Sequence, residues 1–300
     1  MIPRLLMYFL MQPSISRNEG AMNVLFASSE ASPFFSSGGL GDTAGNLARA
    51  LWRLNIDIRV ILPLYRNMDS GLRERLRYVK HYFVPLSWRN QYCGLFELEL
   101  NEVHYYFLDN EYYFGRDRLY GYHDDGERFA FFARAVLETL RNMAFAPQII
   151  HCNDWHTALT PVFLNLFYRR MDEFAHIKTV FTIHDIQYQG QFEPGIAEWV
   201  LGIGRENLHI VEFDGLVNYL KGAIETADTV SLLSSSRSGD IPEPFYGSGL
   251  DGFLREREYK LRSISVETDG DDNWTIPARK YAALYQETLR TSAPRSPGRA

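Results

Sequence analysis

Residues 23–62, NVLFASSEASPFFSSGGLGDTAGNLARALWRLNIDIRVIL, contain the pattern that decides the fold. A short apolar run at 24–27 predicts a β-strand, and the glycine-rich turn after it leads into apolar residues at helical spacing between Leu40 and Leu51. A second apolar run, ended by Pro63, predicts another strand. A strand, a helix and a strand in this order require a right-handed parallel crossover. The stretch therefore predicts a Rossmann-like α/β fold.

The alternation of strands and helices continues along the chain. Parallel-type strands are predicted at 148–151 and 178–183, with helices at 127–142 and 158–168. Residues 82–108 differ, because their two β-like runs indicate antiparallel strands inserted near the edge of the sheet. We therefore expect a parallel sheet with helices on both faces and an antiparallel edge insertion.

The carboxyl-terminal part is predicted to contain a helix at 217–226, a last strand at 229–233, and afterwards only helices and loops. These later segments are a helix at 250–261, a polar loop at 269–273, a helix at 277–289 and a disordered tail at 292–300. We divide the chain into a leader or miscalled start at 1–21, one domain at 22–262, and a degenerate carboxyl-terminal helix and tail at 263–300.

The composition indicates a globular, cytoplasmic protein. Hydrophobic residues make up 46% and charged residues 23%, which supports a large core rather than a disordered chain. The net charge is -6, so the overall field gives no reason to expect nucleic acid or an anionic membrane as a partner. Cys93 and Cys152 lie far apart, which favours reduced thiols over a disulfide. The apolar run at 5–11 is too short to span a bilayer.

Three polar clusters follow predicted strands. They are Gly38-Gly39-Leu40-Gly41-Asp42, then His151-Cys152-Asn153-Asp154-Trp155-His156, and finally His184-Asp185. Ligands of open parallel sheets collect at the carboxyl ends of the strands, because loops and helix amino-termini converge there. One cleft is therefore expected to hold all three clusters.

The Gly38-Gly39 pair is the first candidate binding element. Without a Cβ, the backbone N–H groups of both residues can approach a pyrophosphate or a sugar at the start of the following helix; the alternative is an ordinary tight turn. No Gly-Lys-Ser/Thr follows, and the dinucleotide fingerprint is missed by one residue. Asp57 lies inside the second strand pattern rather than at its end, so a nicotinamide-dependent oxidoreductase is a distant alternative.

Asp154, Trp155 and His156 supply a carboxylate, an aromatic ring for stacking and an imidazole, a combination suited to sugar binding. The alternative is that Asp154 caps a helix starting near His156. His151, His156 and His184 lack a metal-binding spacing, so no metal is expected.

Asp124, Asp125 and Arg128 surround the start of a predicted helix. Acids are stabilised there by the helix dipole whether or not they function, so a solvated cap is the simpler interpretation. Arg128 and Lys221 have the charge to pair with phosphates, but such residues are more often found on the surface.

Taken in order, these segments resemble the bacterial and plastid glycogen/starch synthase family. Ser29-Glu30, Pro33-Phe34 and the glycine-rich segment up to Asp42 are similar to the family's opening signature. Further similar segments are YGY at 120–122, DD at 124–125, RF at 128–129, NDWHT at 153–157, TIH at 182–184, YQGQF at 188–192, NYLKG at 218–222 and GLDG at 249–252.

The resemblance implies the amino-terminal half of a GT-B fold, which transfers glucose with retention from ADP-glucose to the non-reducing end of an α-1,4-glucan. It implies no metal and no cofactor besides the donor, and its partners are ADP-glucose and the glucan. The implied site residues are the catalytic Asp42, Asp124 and His156 and the substrate-binding Ser36, Gly38, Gly39, His184, Tyr188 and Gln189.

Three departures from the family pattern bear on activity. Ser36 stands where the family has a donor-contacting lysine, and Asp185 stands where it has an asparagine. Losing one charge-assisted contact and adding repulsion would weaken donor binding by roughly 2–5 kcal/mol. No segment after Leu233 is expected to encode the family's second Rossmann domain. The alternatives are an inactive truncated homologue, a glucan-binding accessory protein, or a partner chain that supplies the second domain.

Overall fold

The computed structural model describes residues 21–234, 248–266 and 274–291. Residues 1–20 of the leader predicted at 1–21, the predicted loop at 269–273 and the predicted tail at 292–300 lie outside the described residues.

The described residues form a nine-stranded sheet and a small three-stranded one. The strands are β1 (Met22–Ala27), β2 (Ile56–Pro63), β3 (Arg77–Leu86), β4 (Arg89–Leu100), β5 (Val103–Asp109), β6 (Ile149–Asn153), β7 (Lys178–Ile183), β8 (Gln191–Phe192), β9 (Glu212–Phe213), β10 (Leu216–Asn218), β11 (Thr229–Ser234) and β12 (Leu261–Ser265). The order in the large sheet is β12-β11-β7-β6-β1-β2-β5-β4-β3, and the small sheet has the order β8-β10-β9.

Helices connect these strands. They are α1 (Gly39–Arg53), α2 (Ser70–Arg73), α3 (Glu111–Phe114), α4 (Asp125–Leu140), α5 (Leu159–Phe163), α6 (Asp172–Ala175), α7 (Tyr219–Thr226), α8 (Asp251–Arg255) and α9 (Thr275–Arg290). Single π-helical turns at Leu164–Tyr168 and Ala197–Leu201, and 3₁₀ turns at Arg205–Ile210 and Glu258–Lys260, complete the list.

The predicted α/β architecture is confirmed. Strand β1 pairs in parallel with β2 and with β6, and α1 buries the apolar stripe that the helical spacing predicted. The predicted antiparallel insertion is also present, because β4 pairs antiparallel with both β3 and β5 at one edge of the sheet. Strand β5 returns to pair in parallel with β2, and this pairing joins the insertion to the central sheet.

The prediction that 229–233 forms the last strand is wrong. Residues 250–261, predicted as one helix, contain the short helix α8 and a 3₁₀ turn, and strand β12 begins at Leu261. Strand β12 pairs in parallel with β11 and extends across the expected domain boundary at residue 262. Its sequence, LRSIS, is short and half polar, as suits an edge strand, and it therefore carries little apolar signal.

Helices cover both faces of the sheet. From β1 the chain advances to β2 in one direction and later from β6 to β7 in the other. Because each parallel crossover is right-handed, α1 and α5 lie on opposite faces. Helix α9 packs beside α1, whereas α4 and α7 pack against α5.

Helix α9 is attached to the sheet by a buried hydrogen-bond network. The Nδ1 atom of His151, on β6, forms a hydrogen bond of 2.7 Å with the Tyr285 hydroxyl. Its Nε2 atom forms one of 2.6 Å with the Thr182 hydroxyl. Thr182 also lies 2.6 Å from the Ser231 hydroxyl and 3.2 Å from the Tyr281 hydroxyl. All five side chains are buried. Burial lowers the pKa of His151, so the neutral ring joins three strands to the helix.

Replacing Tyr285 with phenylalanine is expected to lower the free energy of unfolding by about 1–3 kcal/mol, because a buried imidazole nitrogen loses its partner. Urea denaturation measures this change. Tyr259→Phe is the matched control, since the Tyr259 side chain is 75% exposed. Equal effects of the two substitutions would contradict the structural role of the network.

Candidate active site

The polar clusters meet at the point where the strand order reverses. Strand β1 has β2 on one side and β6 on the other, and β7 follows β6. The carboxyl ends of β1, β6 and β7 therefore lie side by side at one edge of the sheet, where a crevice opens between loops that diverge to opposite faces. This geometry brings the three clusters to one edge of the sheet, and the prediction that they share a cleft stays a prediction.

The glycines around the start of α1 form two pairs with different surroundings. A Cβ added at Gly38 or Gly39 would meet no atom within 4 Å, and these residues are exposed. A Cβ on Gly41 would lie 2.8 Å from the Ser36 Cα, and one on Gly45 would clash with the Ser32 carbonyl oxygen. The first pair thus leaves room above the start of α1, whereas the second pair lets α1 pack closely on the preceding loop.

Asp42 lies in the first turn of α1 and is exposed. Its Oδ1 atom accepts hydrogen bonds from the Ser32 hydroxyl at 2.6 Å and the Ser36 hydroxyl at 3.1 Å. The Ser36 hydroxyl also lies 3.2 Å from the Gly38 carbonyl oxygen. The Ser36 hydroxyl therefore contacts its own loop and the first turn of α1.

The interpretation of Asp154 as a helix cap is wrong. Helix α5 begins only at Leu159, and its cap residue makes no side-chain hydrogen bond. Asp154 has a left-handed backbone, with φ of 56°, and its Oδ1 atom accepts the His184 N–H at 2.7 Å and the Asp185 N–H at 3.4 Å. Burial raises the pKa of Asp154 to about 7, against the opposing effect of these N–H groups. Asp154 thus joins the β6 and β7 loops.

His156 lies within a group of aromatic rings. Its centroid is 4.3 Å from that of Tyr120, 4.1 Å from that of Trp155 and 4.7 Å from that of Phe129. Burial, with a smaller effect from the Arg128 charge, lowers the pKa of His156 to about 3. Its buried Nδ1 atom has no hydrogen-bond partner. The ring is therefore neutral at physiological pH and oriented by its neighbours.

Asp124 forms a bidentate ion pair with Arg116, with both oxygen–nitrogen distances at 2.6 Å. The Arg116 guanidinium also lies over the Tyr122 ring, 4.9 Å from its centroid. Partial burial would raise the pKa of Asp124, but Arg116 outweighs it, so the pKa lies below its ordinary value. Asp124 is thus a fixed negative charge.

The interpretation of Asp125 and Arg128 as a solvated cap is wrong. Arg128 is fully buried and pairs with the Asp125 carboxylate. It also donates to the Tyr113 carbonyl at 2.7 Å and the Leu119 carbonyl at 3.2 Å, while Asp125 accepts the Gly121 N–H at 2.7 Å. The pair braces the loop that precedes α4.

Lys221 is likewise buried and does not lie on the surface. Its Nζ atom donates to the carbonyls of His209 and Ile210, the latter at 3.0 Å. Lys221 therefore holds the 3₁₀ turn against α7.

The remaining predicted residues differ in exposure. The His184 imidazole lies 3.0 Å from the Asn153 Oδ1 atom, and burial lowers its pKa to about 3. Gln189 is buried, accepts from Asn218 at 2.6 Å and donates to the Ser248 carbonyl at 2.9 Å. Tyr188 is 67% exposed. Gln189 thus shapes the loop, while Tyr188 is available to a ligand.

Sequence reasoning assigned no role to Glu30, Tyr120 and Arg116. Glu30 is buried between β1 and the glycine-rich loop, Tyr120 stacks on His156, and Arg116 holds Asp124. An acid directly after a buried strand was the available signal for Glu30. Tyr120 belongs to the YGY segment at 120–122, which was noted only as a resemblance, and no local pattern identifies Arg116.

No group of three potential metal ligands occurs in 21–234, 248–266 or 274–291. No helix in these ranges is long and apolar enough to cross a membrane.

The switch-point crevice, the glycine-rich loop and the mostly parallel sheet define the Rossmann-like amino-terminal half of a GT-B glycosyltransferase. Residues 23–256 match the model of the starch synthase catalytic domain, and the chain belongs to this family. Glycogen synthase from Clostridium botulinum (strain Alaska E43 / Type E3) is 48% identical over 255 residues, which are 84% of this chain and 53% of that protein.

Other comparisons agree. Glycogen synthase from Geobacillus thermodenitrificans is 46% identical over 245 residues, covering 81% of this chain and 50% of that protein. The catalytic domain of Starch Synthase IV from Arabidopsis thaliana, solved with ADP and acarbose, superposes with a TM-score of 0.73 at 26% identity, covering 82% of this chain and 52% of that one. The chain thus spans about half the length of these relatives.

Proposed function

We propose that the chain forms one half of the cleft of a glucosyltransferase that moves glucose from ADP-glucose to the non-reducing end of an α-1,4-glucan. The single observation behind this proposal is the convergence of Gly38-Gly39, Asp154-Trp155-His156 and His184 at one switch point. Membership of the starch synthase family and the ADP and acarbose bound to the Arabidopsis relative support the choice of ligands.

In this proposal the open space at Gly38 and Gly39 receives the donor diphosphate, because unobstructed N–H groups at a helix start favour an anion. Asp42 and Asp124 supply negative charge near the transferred glucose, and His156 hydrogen-bonds a sugar hydroxyl as a neutral ring. The exposed Tyr188 ring offers a stacking surface on the acceptor side.

The reaction breaks the bond between glucose C1 and the diphosphate oxygen, and a new bond forms between C1 and the acceptor 4-hydroxyl oxygen. The hydroxyl proton leaves with the departing ADP, so the exchange balances without an oxidant or a metal. Positive charge develops on the sugar as the first bond breaks. An ionised Asp124, fixed by Arg116, would stabilise that charge through electrostatic preorganisation rather than by forming a covalent bond.

The test incubates the purified chain with labelled ADP-glucose and glycogen and measures the label retained in polymer. Incorporation that is lost in Asp124→Ala supports transfer. A glucan-dependent rise in melting temperature without incorporation favours the second candidate, a glucan-binding protein without turnover, for which Ser36 in place of lysine is the specific observation. The absence of both signals would contradict both functions.

Replacing Ser36 with lysine is expected to tighten ADP binding about 10- to 100-fold, since a charge-assisted hydrogen bond contributes about 1.5–3 kcal/mol. Titration calorimetry at fixed ionic strength measures the change. Ser36→Gln is the matched control, because it adds length without charge. If the glutamine variant gains as much affinity as the lysine variant, the charge explanation fails.

Replacing Asp185 with asparagine is expected to change ADP binding less than replacing Ser36 with lysine does. Asp185 is exposed, and its carboxylate accepts the Gln187 N–H at 2.9 Å within its own turn.

We also place the protein in the cytoplasm, because its two cysteines are buried free thiols.

A further inference from the structure

A single buried carboxylate touches both sides of the candidate site. Glu30 is 3% exposed. Its oxygens accept the Ser37 backbone N–H at 2.5 Å and the Ser37 hydroxyl at 3.1 Å, and the neighbouring Tyr120 hydroxyl favours the ionised form and so lowers its pKa, against the larger effect of burial. Burying a carboxylate is costly unless such donors surround it. The cost is compensated here by groups from two separate loops.

The first of these loops carries the proposed donor site. Residues 36–39 are all exposed, and Ser37 is the point at which this exposed segment is bonded to a buried side chain. The Ser36 hydroxyl contacts Gly38 in the same loop and Asp42 in the first turn of α1, as described above. The Glu30–Ser37 contact therefore ties the residue before Gly38 to a buried side chain.

The second loop carries Tyr120, whose hydroxyl also lies 2.8 Å from the Ser29 hydroxyl. Its ring packs against His156 at 4.3 Å, with an angle of 31° between the planes. Moving the Tyr120 hydroxyl would tilt the ring against which His156 rests. Glu30, Tyr120 and His156 thus form one continuous line of contacts from the glycine-rich loop to the β6 loop.

We propose that Glu30 is a positioning residue that couples the conformation of the glycine-rich loop to the orientation of His156 through Tyr120. Glu30 touches no substrate in this scheme, and the inference rests on the proposed function for its role toward a nucleotide sugar. Binding of a diphosphate at Gly38-Gly39 would be transmitted to His156 before the sugar is engaged. An acid buried only for packing would have no need of a partner on each loop.

The test uses Glu30→Gln, Tyr120→Phe and the double variant, with Glu74→Gln as an exposed control. Glutamine has one acceptor oxygen for the two Ser37 donors, so the Ser37 amide is expected to exchange about tenfold faster with deuterium, as measured by NMR. The His156 ring signals are expected to shift in Glu30→Gln. In the Tyr120→Phe background the same Glu30 substitution should leave them unchanged, because the connection is already removed.

The outcomes separate this inference from the proposed function. Unchanged His156 signals in Glu30→Gln, or equal shifts with and without Tyr120, would overturn the coupling. ADP binding by the unsubstituted chain tests the proposed function. An affinity for ADP about tenfold lower in Glu30→Gln would support the role of Glu30 toward the donor. If the unsubstituted chain binds no ADP, the proposed function fails, and the exchange rates and ring signals still decide the coupling.

Discussion

Replacing Asp125 with asparagine is expected to lower the free energy of unfolding by about 3–5 kcal/mol, because it leaves the Arg128 guanidinium buried without a counter-charge. The asparagine amide can still accept one backbone N–H, but it cannot balance a full positive charge. Urea denaturation near neutral pH measures the loss. A change within about 0.5 kcal/mol would show that the pair is solvated in solution.

A second variant separates the lost charge from lost packing. Adding Arg128→Met to Asp125→Asn removes both charges, and apolar replacement of a whole buried pair is often close to neutral. Recovery should be partial, since the carbonyls of Tyr113 and Leu119 lose their donor. A double variant no more stable than the single one would locate the effect in the carbonyls rather than in the ion pair.

Replacing Asp154 with asparagine is expected to raise the free energy of unfolding, in contrast to the Asp125 substitution. Burial raises the pKa of Asp154 to about 7 from the ordinary value of 3.8, so folding favours the protonated carboxyl. Its stabilising contribution is complete below about pH 4 and is lost as the pH rises to about 7. Asparagine keeps the acceptor oxygen for His184 and Asp185 and tolerates the positive φ. We expect a gain of about 3–4 kcal/mol at pH 8 that vanishes at pH 4.

The measurement is unfolding by urea at several pH values between 4 and 8. Asp214→Asn is the matched control, because Asp214 also has a positive φ, of 54°, but is exposed. It should change stability by less than about 0.5 kcal/mol at every pH. If the free energy of unfolding changes with pH in the same way for the Asp154 variant and the original chain, burial does not perturb the pKa of this carboxyl. A gain in stability combined with lost glucose transfer would show that the acid is kept for the reaction.

The central strands and the position of the site followed from local sequence. Short apolar runs and the helical spacing of Leu40 to Leu51 predicted β1, α1 and β2, and the rule for open parallel sheets then placed three clusters at one edge. These features are set by residues that are near one another in the chain, so a single sequence contains enough information to find them.

Features that depend on distant residues did not follow. An arginine is expected at the surface from its type alone. Arg128 is buried because Asp125 is buried beside it and balances its charge. Asp154 resembles a cap locally, but its acceptor atom is used by N–H groups 30 and 31 residues away. Strand β12 depends on β11 for its pairing, and its own five residues are too polar to predict it.

The attachment of α9 also has a consequence for biosynthesis. His151 meets Tyr285 across 134 residues, and Thr182 meets Tyr281 across 99. At about 5–20 residues per second, ribosomes need roughly 7–27 s to make the first of these separations. The face of the sheet around His151 is therefore completed only after α9 has been made, late in synthesis of the chain.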